Sequence, residues 1–144
     1  MAHQGSIRPP LGGYWMTEAP ADGARHAGLP PCPAWPRGVS SLAEWSCRWV
    51  APIAYAGGRD DAWSALRAAI AALPRTEIVA CAGETIHATQ RTVLFGFVDD
   101  LTCWLPPDEA VIHVHSAARV GYYDLGVNRR RVERLRRAFQ THLR

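Results

Sequence analysis

The chain contains no lysine, and all 16 of its permanently basic side chains are arginine. A lysine Schiff base or lysine general base is thereby excluded, and the fixed cations that remain are planar guanidinium groups suited to bidentate contact. A biased genomic base composition would leave the same gap. No run approaches the roughly 20 apolar residues of a spanning helix, and the start MAHQGSIRPP has neither the charged opening nor the apolar stretch of a secretory signal. A cytoplasmic protein without a membrane partner is expected. The cysteines are few: Cys32, Cys47, Cys81 and Cys103 show neither C-x-x-C spacing nor the density of a disulfide scaffold, so reduced thiols are expected. A glycine-rich phosphate loop, a nucleophile elbow, an HExxH helix and an EF-hand loop are also missing, and the corresponding enzyme classes lose ground.

What is present suffices for one domain. With 144 residues and 48% of them apolar, the chain can build a single core. Residues 1 to about 50 are rich in Gly, Pro and Ala without sustained periodicity, and RPPLGG and GLPPCPAWPRG punctuate this region as extended or turned backbone. Its first part, residues 1–30, reads as an N-terminal arm, partly flexible, ahead of a domain over 31–144. Trp15, Trp35, Trp45 and Trp49 are bulky enough that parts of the region should dock on the body.

Periodicity then predicts an α+β fold. WVAPIAY suggests a short strand limited by Pro52, and DDAWSALRAAIAALP a helix with Asp60 near its N-cap and Pro74 at its end. Trp63, Leu66, Ile70 and Leu73 form its apolar stripe. TEIVACAG, ETIHATQR, VLFGFVDDLTCWL and EAVIHVHSA read as successive strands joined by tight turns. A last helix runs from about Gly126 to His142, with Val132, Leu135, Phe139 and Leu143 inward and its arginines in water. The expectation is an antiparallel meander of about four to five strands with two helices packed on one face. Alternation places Ile78, Ala80, Ile86, Ala88, Ile112 and Val114 on the helix-covered face, and His87, Thr89, Arg91, His113 and His115 on the other.

The stretch from Val111 to Arg131, VIHVHSAARVGYYDLGVNRRR, concentrates the chemistry between the last strand and the last helix. His113 and His115 form an H-x-H pair on one strand face, and with His87 they are a weak candidate for a metal site. Asp99 and Asp100 lie inside an apolar strand and must point to opposite faces, so one of them needs a buried partner: Arg119 or an arginine of the last helix. The alternative role is a general acid or base with a shifted pKa. The run Arg129–Arg131 stands in the first turn of a helix, against the macrodipole, and is either neutralised by Asp124 and its neighbours or placed to meet an anion. Asp124 or Asn128 could equally cap the helix, with Tyr122 and Tyr123 covering its end.

LFGFVDD and HVHSAARVGYYDLGVNRRR resemble the bacterial and plastid family known as domain of unknown function 1499, and PPCPAWPRGVSS, APIAYAG and LPRTEIV are similar to it in order and spacing. The resemblance covers about residues 30 to 140. It implies one α+β domain and contributes positions without a mechanism. Asp99, Asp100, Arg119, Gly121, Asp124, Gly126, Asn128 and Arg129 keep the family character. The departures are Gly38 in place of a second cysteine, Thr102 in place of an acidic residue, His115 in place of an arginine, Ala118 in place of a serine, and Tyr123 in place of a small or polar residue. Two positions that carry opposite charges in the family thus hold His115 and Thr102 here, which makes the site less charged and, through the histidine, more able to shuttle protons at neutral pH.

Two functions are expected from this. One is a small-molecule-processing enzyme that works without a cofactor by acid/base catalysis, such as a cyclisation, isomerisation, elimination or hydrolysis within a biosynthetic pathway. Asp99, Asp100, His113, His115, Arg119 and Asp124 would carry the catalysis, and Trp104, Tyr122, Tyr123, Asn128 and Arg129 the ligand contacts. The other is a non-catalytic ligand-binding or assembly module. A nucleic-acid partner is disfavoured, since no aromatic platform is interleaved with the arginines.

Overall fold

A computed structural model of the chain describes residues 28–32, 37–43, 48–121 and 124–143. Within them six strands and two helices follow one another as β1 (Gly38–Ser40), β2 (Ile53–Ala54), α1 (Arg59–Ala72), β3 (Thr76–Ala82), β4 (Thr85–Arg91), β5 (Val98–Trp104), β6 (Val111–Ala118) and α2 (Val127–His142). The arm expected over residues 1–30 lies outside the described residues except for its last three, as do Trp35, Trp45 and Cys47.

Tight turns force β3, β4, β5 and β6 into an antiparallel meander, and the sheet is ordered β1-β6-β5-β4-β3. Both short strands pair with β6, β1 beside its C-terminal half and β2 beside its start. Sequence periodicity does not reveal β1, because three residues between Pro-rich pieces are too short to alternate.

Both helices pack on one face. Leu66 and Ile70 of α1, Val132, Leu135 and Phe139 of α2, and Ile86, Ala88, Leu101, Cys103, Ile112 and Val114 of the sheet form the core. Trp63 only flanks it, and Ala62, Ala65 and Ala69 are the residues that let α1 approach closely. α1 starts one residue before Asp60, from Gly58, with no side-chain cap.

Three expectations are corrected. The long strand beginning at VLFGF is shorter, since Gly96 at φ 64° turns the chain and Thr92 N–H donates to the Phe97 carbonyl at 2.8 Å, leaving Val98 as the first β5 residue. Ala80 leaves the helix face: a bulge between Ile78 and Ala80 sets it opposite His87. Not all the α2 arginines face water, because Arg131 is 1% exposed.

Candidate functional site

The two faces of the sheet carry separate polar clusters, and Asp99 and Asp100 divide between them. On the helix side, the inward rows of three strands turn polar at the same end, in Gln90, Asp99 and Ser116. Arg131 reaches from α2 into that space. Its Nη2 donates to Asp99 Oδ2, its Nε to Gln90 Oε1, and its Nη1 to Ser116 Oγ and Asn128 Oδ1. Gln90 in turn donates to the Pro74 carbonyl and to Thr76 Oγ1, both at 2.9 Å. Burial raises the Asp99 pKa despite the Arg131 charge, and lowers that of Arg131.

Asn128 and Asp124 extend this cluster to the loop before α2. Asn128 Oδ1 also accepts from Ser116 Oγ at 2.8 Å, while its Nδ2 donates to Asp124 Oδ2 at 2.7 Å and to the Arg37 carbonyl at 3.0 Å. Asp124 further accepts from the backbone N–H groups of Gly126 and Asn128, at 2.9 and 3.3 Å. Asp124 thus satisfies amides at the helix start from outside the helix, while the Asn128 side chain bonds no backbone N–H among the described residues and instead ties the helix start to β6 and to the Arg37 carbonyl. Every polar atom of the Asn128 side chain is engaged inside the protein, which leaves it no bond for a ligand.

The three arginines that open α2 go separate ways. Arg131 turns inward, Arg130 Nη1 donates to the Leu125 carbonyl at 3.0 Å, and Arg129 Nη1 to the Trp49 carbonyl at 3.1 Å. Asp124 supplies the negative charge near the helix start that the first turn itself lacks.

The opposite face holds the other cluster. Strand register aligns His87, Thr102, His115 and Ser40 in one row across β4, β5, β6 and β1, with Asp100 in the row beside it. Asp100 is 2% exposed. It accepts from His87 Nε2 through Oδ1 and from Arg119 through both oxygens, each at 2.8 Å. Burial would raise its pKa, but the hydrogen bonds from Arg119 and His87 outweigh burial and hold it below the usual value. An ionised carboxylate only accepts, so Nε2 of His87 carries the proton that faces Asp100. The Arg119 side chain is 33% exposed, and its Nη1 makes no hydrogen bond among the described residues.

His115 and Thr102 line the same row. Burial pushes the His115 pKa down to about 4, against the attraction of Asp100 and a hydrogen bond with the Pro31 backbone. It is therefore neutral at physiological pH. Thr102 Oγ1 is buried with no hydrogen-bond partner among the described residues.

His113 lies farther along, and its environment differs. Its Nδ1 is 3.1 Å from Ser41 Oγ and its Nε2 3.6 Å from Glu109. Trp104 stacks on its ring at a centroid distance of 5.4 Å. Gly28 approaches that indole so closely that a Cβ would fall 2.1 to 2.4 Å from the ring atoms. Trp104 is thus engaged by His113 and the 28–32 segment.

Of the residues singled out from sequence, Asp100, His115 and Arg119 meet on one face with His87. Asp99, Asp124 and Asn128 belong to the other, and Tyr122 and Tyr123 lie outside the described residues. The weak metal alternative of His87, His113 and His115 is not supported: among the described residues no three potential ligands converge, because His87 turns to Asp100 while His113 lies against Trp104. Gln90 and Ser116 carry no role assigned from the sequence and His87 only that metal role, whereas the Asp99–Arg131 pair meets the expectation of a buried carboxylate held by an arginine of the last helix. The available signal for Arg131 was its spacing, since 131, 135 and 139 share one helical stripe.

These features define an α+β protein with one helix-covered sheet face and one polar face built around a buried carboxylate. Residues 28–139 match the sequence pattern of a family described as protein of unknown function (DUF1499), and the chain belongs to that family. No curated protein matches the chain.

Proposed function

We propose that the chain is a small-molecule-processing enzyme that uses acid/base catalysis on the polar face, with His87 as the proton-exchanging group and Asp100 as its orienting carboxylate. The observation that carries this reading is the Asp100 carboxylate, shared at 2.8 Å between an imidazole and a bidentate, partly exposed guanidinium whose third nitrogen makes no hydrogen bond among the described residues. A carboxylate that fixes the tautomer of a histidine prepares its other nitrogen to take or give a proton. Arg119 Nη1 would hold the anionic or carbonyl oxygen of the substrate, and Thr102 Oγ1 offers a further bond to it. Cyclisation, isomerisation, elimination and hydrolysis of a metabolite all fit such a set. Asp99 and Asp124 take no part in it.

The test is genetic complementation read by metabolite profiling. In a strain lacking the chain, alleles carrying His87→Gln or Arg119→Gln are expected to leave the substrate accumulated as in the deletion, reflecting a loss of about 100-fold or more in turnover. A Gln90→Glu allele, altered on the other face, controls for folding defects together with the melting temperature of each purified variant. If folded His87→Gln and Arg119→Gln proteins both restored the wild-type profile, the catalytic reading would be wrong.

A further inference from the structure

One end of the sheet exposes a group of apolar side chains that neither the core nor the polar face uses. The loop between β4 and β5 projects Val93, Leu94, Phe95 and Phe97, which are 78%, 80%, 70% and 49% exposed. Val120 and Leu125, 52% and 74% exposed, stand beside it, because Arg119 N–H donates to the Val98 carbonyl and so brings the loop after β6 to the same end. Scattered apolar residues on a surface need no explanation, but six gathered at one end do.

The loop is built to hold them outward. Thr92 N–H donates to the Phe97 carbonyl at 2.8 Å, Phe97 N–H to Thr92 Oγ1 at 2.9 Å, and Gly96 N–H to the Thr92 carbonyl at 3.1 Å. Phe95 and Phe97 stack with their centroids 5.4 Å apart. Folding the tip back to bury these side chains would break those bonds. Leu125 adds a second sign, since it holds a φ of 53° that glycine or asparagine would adopt with less strain. A solvent-exposed leucine kept at such a position points to a use for its side chain.

Arginines surround the tip. Arg91 Nη1 donates to the Gly96 carbonyl, Arg75 Nε to the Arg91 carbonyl, Arg130 Nη1 to the Leu125 carbonyl, and Arg37 Nη1 to the Gly121 carbonyl. Arg75, Arg91 and Arg130 pair with no carboxylate among the described residues. The carboxylates at this end are committed elsewhere, Asp99 to Arg131, Asp100 to Arg119 and His87, and Asp124 to the loop amides and Asn128. Glu77 is exposed, as is Glu133 on α2, which pairs with Arg136 at 3.4 Å; Asp60, Asp61, Glu84, Asp108 and Glu109 lie at the opposite end, around the start of α1 and the β3–β4 and β5–β6 turns.

We propose that this end docks on an anionic phospholipid surface, with Val93, Leu94, Phe95, Phe97 and Leu125 entering the headgroup boundary and the arginine collar meeting the lipid phosphates. A projecting apolar tip ringed by guanidinium groups suits a bilayer, which accepts an apolar side chain anywhere on its surface and rewards each basic group beside it. A protein partner would need a cavity matched to the hairpin, and a second copy would have to bring the same cationic collar against this one. No helix among the described residues is long and apolar enough to cross a membrane, so the contact is peripheral.

The experiment is flotation of the full chain with vesicles of phosphatidylcholine containing phosphatidylglycerol, against vesicles of phosphatidylcholine alone, with sedimentation velocity on the same samples. The chain is expected to float with the anionic vesicles and not with the neutral ones. The exposed double substitution Leu94→Ser/Phe95→Ser should lower partitioning about tenfold or more at an unchanged melting temperature, and Arg75→Gln about fivefold. Leu125→Gly should weaken binding while leaving the melting temperature unchanged or higher. No flotation with anionic vesicles, or flotation that the double substitution does not reduce, would overturn the proposal. So would a shift from dimer to monomer in Leu94→Ser/Phe95→Ser, which would assign the tip to self-association. Since neither His87 nor Arg119 touches the vesicle readout, the result is independent of the catalytic reading.

Discussion

Arg131→Leu is expected to cost about 3 to 5 kcal/mol, the scale for removing one partner of a buried ion pair. The substitution would leave Asp99, 3% exposed, without its counter-ion, and would strip a donor from Gln90, Ser116 and Asn128 at once. A domain of this size has only about 5 to 15 kcal/mol of total stability, so the variant should unfold at much lower urea or fail to accumulate. The double variant Asp99→Leu/Arg131→Leu should recover a large part of the loss, since a buried pair replaced by apolar residues is often close to neutral. Urea unfolding of both single variants and the double variant gives the coupling directly. A shift of under about 1 kcal/mol for Arg131→Leu would show that the cluster does not hold α2 in place.

The reason for expecting so large an effect is the number of elements that meet at one guanidinium. Arg131 joins α2 to β4, β5 and β6, Gln90 ties the same point to the α1–β3 connection, and Asn128 ties it to the Arg37 carbonyl just ahead of β1. A guanidinium with several satisfied donors fixes both the rotation of α2 about its axis and its position along the sheet. Hydrophobic packing from Val132, Leu135 and Phe139 alone would specify these less strictly.

Much of the architecture is legible in the sequence, because strand alternation and helical spacing report burial directly. The antiparallel order follows from turns too short for crossovers, and the opposite directions of Asp99 and Asp100 follow from period two alone. Register is another matter. That Gln90 and Asp99 lie opposite each other, with Ser116 one inward step away opposite Leu101, depends on how β4, β5 and β6 align, and no local pattern encodes that. The same limit hides the His87–Asp100 contact, which joins residues diagonal to each other across two strands. A bulge moves Ala80 to the other face for a similar reason, since nothing in TEIVACA marks where the extra residue falls. Arg131 was concealed differently: within an arginine run its charge suggested solvent, while its place in the 131, 135, 139 stripe argued for the interior, and the stripe prevailed.

His115 should make the stability of the protein depend on pH between about 4 and 6.5. Its pKa falls from 6.5 to about 4 on folding because burial disfavours the imidazolium. Between those values the unfolded chain binds a proton that the folded one refuses, so stability rises with pH across the window and is lost as pH falls. At about 1.4 kcal/mol per pH unit, the whole interval amounts to about 3 kcal/mol. Asp99, whose pKa is raised, contributes with the opposite sign at acid pH, and Asp100, whose pKa is lowered, with the same sign below the usual carboxylate range. Both carboxylates remain in a His115→Gln variant, so comparing the two proteins isolates the imidazole. The expected outcome is a urea midpoint that declines from pH 7 to pH 4.5 in the wild type and declines much less in His115→Gln, whatever the absolute stability of the variant. Parallel declines in the two proteins would mean that His115 accepts its proton in place, and that the row it shares with Thr102 and His87 admits water.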